Sequence, residues 1–266
     1  MGRHSGLGGR LVDSLTLLTD YAVTVNAQFG EDGIVRECLR RMGILKGGVA
    51  VEVGASDGRE CSNTLELRDV FGWTRVLIEA DEILFNRMEE HERDVRIHSG
   101  ISPTGITRLD VLTRDYEVDF LSLDIDGDEY EVWHNLEMAP WLVCIEFNQT
   151  IPWQFSITNA GMGCSLSALC MLAECKDYAF IGATHCNAFF VRSYDADYLF
   201  KDIDRDPEHY LDPKNFTYLI TTPYGGAVAF GPQHFSVQKR FSGELSVIDY
   251  DGNVRTINLS HRSTRG

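Results

Sequence analysis

Val49-Ala50-Val51-Glu52-Val53-Gly54-Ala55-Ser56-Asp57-Gly58 passes from an apolar, β-branched run through one acid into glycines at 54 and 58. About twenty residues later Arg75-Val76-Leu77-Ile78 ends in Glu79-Ala80-Asp81. A parallel strand buried on both faces needs the first pattern. Glycines just past its end let backbone approach a ligand with no Cβ in the way. An acid at the tip of the following strand can accept from both hydroxyls of a ribose. The pair predicts a nucleoside-containing ligand at the carboxyl edge of a doubly wound sheet.

Outward from this stretch, strands and helices alternate. Strands are predicted at 49–53, 75–79, 95–98, 120–125 and 141–147, and helices at 34–42, 60–70, 82–92, 128–136 and 164–175. Such alternation implies right-handed βαβ crossovers. Two apolar runs, 178–183 and 187–192, are separated by a short turn, so the sheet is expected to finish in a hairpin with an antiparallel edge strand. Beyond Asp195 the rhythm is lost. Residues 1–195 are read as one α/β domain and 196–266 as a C-terminal, β-rich extension of unassigned role, with a hairpin at 244–250 and 254–257 around Asp251-Gly252-Asn253.

The 266 residues carry a net charge of −16 with 24 Lys+Arg against 40 Asp+Glu. That balance argues against a nucleic-acid partner or an anionic membrane surface, both of which attract cationic patches. The seven cysteines form no C-x-x-C pair, and several lie in apolar runs. Free, buried thiols and a reducing compartment are the expectation. Met1 to Gly6 lacks a signal-peptide core, and no apolar run reaches membrane-spanning length, so a cytoplasmic protein is expected.

Three constellations carry chemistry. Glu52-x-Gly54-x-x-x-Gly58 has a single glycine at the tight turn, unlike the dinucleotide G-x-G-x-x-G. Asp124-Ile125-Asp126-Gly127-Asp128-Glu129 follows a strand and opens a helix. Asp128 and Glu129 suit a first helical turn, whereas Asp124 and Asp126 need another reason. The next strand ends Glu146-Phe147-Asn148. Neighbouring carboxylates raise one another's pKa or hold a cation.

Glu52-x-Gly54-x-x-x-Gly58 resembles motif I of S-adenosylmethionine (SAM) dependent methyltransferases. The chain as a whole resembles the FkbM-type members of that group. Gln28-Phe29-Gly30-Glu31-Asp32 matches their Q-x-G-E-D segment, Asp124 to Val132 their D-I/V-D/E-G-x-E-x-x-V segment, and Asn187-Ala188-Phe189-Phe190-Val191-Arg192 their terminal strand. Ser62-Asn63-Thr64 also resembles a subgroup. The likeness covers residues 26–192. It implies a Rossmann-like class I methyltransferase fold, a seven-stranded, mostly parallel sheet with an antiparallel terminal strand.

The resemblance also implies a SAM site built from Gln28, Glu31, Asp32, Glu52, Gly54, Ala55, Ser56, Gly58, Glu79, Ala80, Asp81 and Asp124, with the segment after 99 near the adenine. A small-molecule or glycan acceptor, methylated on oxygen, is the expected partner. Asp126, Glu146 and His185 are the candidate bases, with His98 a weaker one. Asp124, Asp126, Glu146 and Asn148 are the candidate ligands for Mg²⁺. Trp133, Trp153 and Phe155 are candidate acceptor-pocket walls, and the loop 149–163 a candidate lid. A homo-oligomer is open on this reading. One rival is a methyltransferase-like binding or assembly module without catalysis. The other, a nicotinamide oxidoreductase, is disfavoured by the missing glycine fingerprint.

Overall fold

The computed structural model describes residues 15–158 and 163–216 and, beyond them, the strands Tyr218–Thr221, Ala227–Phe230, Glu244–Ile248 and Val254–Asn258. Seven strands form one sheet: β1 Val49–Val53, β2 Thr74–Glu79, β3 Asp94–His98, β4 Phe120–Leu123, β5 Leu142–Glu146, β6 Tyr178–Ala183 and β7 Asn187–Arg192. Their order is β3-β2-β1-β4-β5-β7-β6, and only β7 runs antiparallel to its neighbours. This is the seven-stranded, Rossmann-like arrangement expected. The reversed strand is not at the edge, however. β7 inserts between β5 and β6, because its apolar residues Phe189, Phe190 and Val191 are fully buried and need cover on both sides.

Both faces of the sheet are covered, which is why the strands read as continuous apolar runs. On one face Val51, Val53, Val76, Ile78, Leu121, Leu123, Val143 and Ile145 pack with Trp133 and Leu169. These come from helices α5 (Glu129–Asn135) and α6 (Leu166–Cys175). On the other, Ala50, Phe120, Leu142 and Cys144 meet helix α1 (Glu31–Met42). α1 buries Ile34, Val35, Cys38 and Leu39, a single helical stripe, and Gly43 closes it in the left-handed region at φ 74°.

Two helices, α2 and α3, are clearly shorter than the sequence predicts, while α1 begins three residues earlier than predicted. α2 starts at Leu65 rather than near 60. The carboxylate of Glu52 accepts from the Asn63 amide and the Ser62 hydroxyl, both at 2.8 Å, which holds residues 62–64 out of a helix. α3 is only Glu82–Phe85. Over residues 86–92 Met88 is the one apolar residue, so a longer helix there would have no face to bury. Helix α4 is Leu109–Leu112.

Helix α7, Ser193–Leu199, runs through position 195. Ala196, Phe200 and Ile203 join the α1-side core, Thr16 pairs with Ile203, and Arg41 binds Asp202 at 2.6 Å. Beyond them lie two antiparallel hairpins. β8 (Tyr218–Thr221) pairs β9 (Ala227–Phe230), and β10 (Glu244–Ile248) pairs β11 (Val254–Asn258). Only the second of these is predicted from the sequence. The expected turn at 251–253 and the glycine-rich start lie outside the described residues. Among the described residues all seven cysteines are unpaired, and no helix is long and apolar enough to cross a membrane.

Candidate functional site

β1 ends at Val53 and the chain turns sharply at Gly54, whose φ is 75°. A Cβ there would stand 1.8 Å from the carbonyl oxygen of Asp124. The glycine is therefore required by the neighbouring strand end, and not, as the sequence reading had it, only by ligand approach. Ser56 follows, also left-handed at φ 51°. Its amide donates to Glu79 Oε2 at 2.8 Å, while the Asp81 amide donates to Glu79 Oε1 at 2.7 Å. The two bonds fix the Glu79 carboxylate in one orientation and leave the remaining lone pairs of both oxygens available.

These elements wall a cavity of about 520 Å³. Gly54, Ser56, Glu79, Ala80 and Asp81 line one side, Ser99 to Ile101 another, and Asp124, Asp126 and Asp128 the third. It opens at the carboxyl ends of β1, β2 and β4, beside the point where strand order reverses, the usual ligand position in an open α/β sheet. Its size suits a cofactor. A smaller hollow of about 200 Å³ adjoins it, lined by Glu52, Ala55, Cys61 and Asn63.

Not every expected cofactor residue reaches this cavity. Gly58 packs behind it, where its carbonyl accepts from Arg75 at 3.0 Å. The Glu52 carboxylate is buried and committed to residues 62–64. Gln28 is exposed and lines neither hollow. Asp32 clamps three successive amides, Val25, Asn26 and Ala27, at 2.8–2.9 Å. Glu31, fully buried, accepts from the Phe29 amide, the Thr184 hydroxyl and the Asn187 amide group. The Q-x-G-E-D segment thus ties α1 to the β6–β7 turn.

The acids after β4 and β5 behave differently. Asp124, Asp126 and Glu146 each offer an oxygen within 4.8 Å of the others. Asp126 adopts the left-handed region at φ 59°, unusual for a residue with a Cβ. Desolvation raises the Asp124 pKa to about 6, and Glu129 and Asp126 add repulsion against the hydrogen bond from Glu146. Desolvation, then the charges of Asp124 and Glu129, push Glu146 up to about 10. Burial and mutual repulsion thus favour the protonated form of both carboxyls, Glu146 more than Asp124. Glu129, missed by the sequence reading as more than a helix-end charge, is fully buried and accepts from the Ile125 and Gly127 amides at 2.9 and 3.0 Å. Its helix-start position masks that role.

Asn148 is buried, and its Oδ1 already accepts from the Thr150 amide and hydroxyl. His185 is exposed in the β6–β7 turn and lines a different cavity from Asp126. Its Nε2 lies 3.1 Å from Gln149 Nε2, and its ring meets that of Phe29 at a tilt, centroids 4.9 Å apart. His98 is exposed and stacks on Phe85. Trp133 is a core residue, 1% exposed against Phe190 and Tyr178, because its position on α5 faces the sheet. Trp153 lines a separate hollow with Cys170 and Phe180, and Phe155 is exposed. The tip of the 149–163 loop, residues 159–162, lies outside the described residues.

No protein-family model matches this chain, and no curated protein matches it. Several solved structures are similar to it in backbone. A candidate sarcosine dimethylglycine methyltransferase from Galdieria sulphuraria aligns at TM-score 0.40 and 17% identity, over 56% of this chain and 62% of that one. A SAM-dependent methyltransferase from Geobacter sulfurreducens, solved with S-adenosyl-L-homocysteine, aligns at 0.41 and 11%, over 62% and 70%. A TehB-like SAM-dependent methyltransferase from Corynebacterium glutamicum aligns at 0.38 and 14%, over 59% and 88%. The chain therefore spans less than two thirds of the Galdieria protein. With scores of this size the functional reading rests on the cavity and its chemistry.

Proposed function

We propose that this chain is a SAM-dependent O-methyltransferase acting on a hydroxyl of a sugar or small metabolite. The observation that carries the reading is the fixed Glu79 carboxylate on the wall of the 520 Å³ cavity, beside the Gly54–Ser56 turn, with Asp124 lining the same cavity. These residues fit the cofactor. Glu79 has lone pairs for two ribose hydroxyls, Ser99 to Ile101 form a wall for a flat base, and Asp124 is an anion for the methionine ammonium. SAM supplies, when bound, an electrophilic methyl on a positive sulfur.

The chain's own residues then have three tasks: to orient the ligands, to exclude water and to take a proton from the acceptor hydroxyl. Asp126, exposed at the cavity wall, is the base within reach. Asp124 and Glu146, both inclined to the protonated form, act as its electrostatic neighbours. A divalent cation such as Mg²⁺ is a second component of the reading, supported by the three oxygens of Asp124, Asp126 and Glu146 converging within 4.8 Å. Such an ion displaces protons from these acids, so its affinity rises with pH.

Titration calorimetry with S-adenosyl-L-homocysteine tests the cofactor. The natural chain should bind it, and Glu79→Ala should lose about tenfold or more in affinity. Equal affinity in the two would sink the proposal. Binding without methyl transfer to any of a broad panel of hydroxyl acceptors would favour the non-catalytic module instead.

A further inference from the structure

Of the acids after β4 and β5, only Glu129 is fully buried. Its Oε1 accepts from the Ile125 amide at 2.9 Å and from the Gly127 amide at 3.0 Å, and Oε2 shares the Gly127 donor at 3.1 Å. These donors are the residues on either side of Asp126. One carboxylate therefore grips both ends of a three-residue turn whose middle residue is the proposed base. Glu129 itself does not line the cofactor cavity, whereas Asp126 does.

Asp126 stands at φ 59°, a conformation that a residue with a Cβ keeps only when its surroundings enforce it. A Cβ at Gly127 would meet nothing within 4 Å, so side-chain packing does not set the turn from that side. The hold on the two flanking amides does. The sign of φ decides on which side of the turn the Asp126 side chain leaves. Here it reaches the cavity wall, with an oxygen within 4.8 Å of one from Asp124 and one from Glu146. Glu129 Oε2 also lies 3.9 Å from where a Cβ would stand at Gly163, the end of the 149–163 loop. The two ends of that loop are joined by the Asn148 amide, which donates to the Cys164 carbonyl at 2.8 Å. The acid thus sits where the ends of β4 and β5 and the base of the loop meet.

We propose that Glu129 is a positioning residue, which fixes the 125–127 turn so that Asp126 meets the acceptor hydroxyl, and which touches neither substrate nor cofactor. The part that concerns the hydroxyl rests on the transferase reading; the hold on Asp126 does not. The conservative variant keeps the hold. In Glu129→Gln the side-chain carbonyl takes the place of Oε1 and accepts from both amides, and the only poor contact is Nε2 beside the Gly127 amide. In Glu129→Leu both amides lose their acceptor in a buried setting. Glu129→Asp keeps the acid, but its arm is one methylene too short to span the two amides.

Backbone NMR of the full chain reads the turn directly. In the natural chain and in Glu129→Gln, Asp126 should show the Cα and Cβ shifts of a left-handed residue, and the Ile125 and Gly127 amides should exchange slowly. In Glu129→Leu the left-handed signature should be lost, and both amides should exchange about tenfold faster or more. Glu129→Asp should show the same losses, which keeps the test open if the leucine chain does not fold. S-adenosyl-L-homocysteine affinity, by calorimetry, should stay within about threefold in every variant that folds. Methyl transfer to a hydroxyl acceptor of the panel should fall about a hundredfold in Glu129→Leu or Glu129→Asp and return to within about tenfold in Glu129→Gln. A merely supporting role would move cofactor affinity and rate together. An Asp126 signature unchanged in both the Leu and Asp chains overturns the proposal, as does an equal loss of rate in the Gln and Leu chains. A natural chain that binds no S-adenosyl-L-homocysteine, or methylates no hydroxyl, while the Asp126 signature behaves as described, would overturn the transferase reading alone.

Discussion

The acids on the two halves of the sheet meet opposite fates. On the β1–β2 side three carboxylates are held by donors. Glu52 holds residues 62–64, Glu79 holds Ser56 and Asp81, and Asp94 takes Arg75 at 2.6 and 2.9 Å with Arg68 beside it. On the β4–β5 side Asp124, Asp126 and Glu146 face one another, and burial with mutual repulsion raises the pKa of Asp124 and Glu146. A satisfied carboxylate is scaffold; a crowded one stores unfavourable charge that a ligand, a cation or a proton can relieve. The contrast divides the site into a rigid half that shapes a cavity and a reactive half that responds to it.

The largest expected effect tests the rigid half. Gly54→Val drives a side chain into the Asp124 carbonyl, and no rotamer relieves a backbone contact. Little soluble folded protein should be recovered, as read by far-UV circular dichroism and gel filtration. A folded variant that had merely lost cofactor affinity would restore the simpler view of this glycine. Arg75→Met should come next, costing about 3–5 kcal/mol in denaturant unfolding, because Asp94 is left buried with less compensation. A loss below about 1 kcal/mol would show that the pair is not the scaffold described here.

The reactive half should show the opposite sign. Glu146→Gln removes one of the crowded acids, and at pH 8 it should raise stability by roughly 1 kcal/mol. The sign follows from linkage. Both Asp124 and Glu146 bind protons more tightly folded than unfolded, so their contribution is complete below the ordinary carboxylate range near 4. It is lost as pH rises through about 6 for Asp124 and on toward about 10 for Glu146. The natural chain should therefore lose stability between pH 5 and 9 (roughly, by the reference values), and Glu146→Gln should flatten that slope. Identical pH profiles would mean that the acids do not interact.

Much of the sheet could be read from the chain because burial on both faces writes itself as runs of Val, Ile, Leu and Phe. Val49–Val53 is predicted to the residue, and Glu79 lies at the strand tip as expected. Helix lengths are less legible. What delays the start of α2 is Glu52, ten or more residues earlier in sequence, and what stops α3 is the lack of anything to bury. The role of Glu31 could not be read locally either, since its partners Thr184 and Asn187 lie over 150 positions away. His185 looks like a base by residue type, but the turn places it at a different cavity from Asp126.

Local pattern alone, then, determined a parallel α/β sheet, the acid-tipped second strand and the glycine turn, because periodicity and backbone freedom are properties of neighbours. Tertiary structure decided which acids are clamps and which are crowded. It also decided that β7 enters inside β6, and that the Q-x-G-E-D motif ties α1 to a hairpin turn. Those outcomes depend on desolvation and on donors supplied across the sheet, and neither is written within reach of a short stretch of chain.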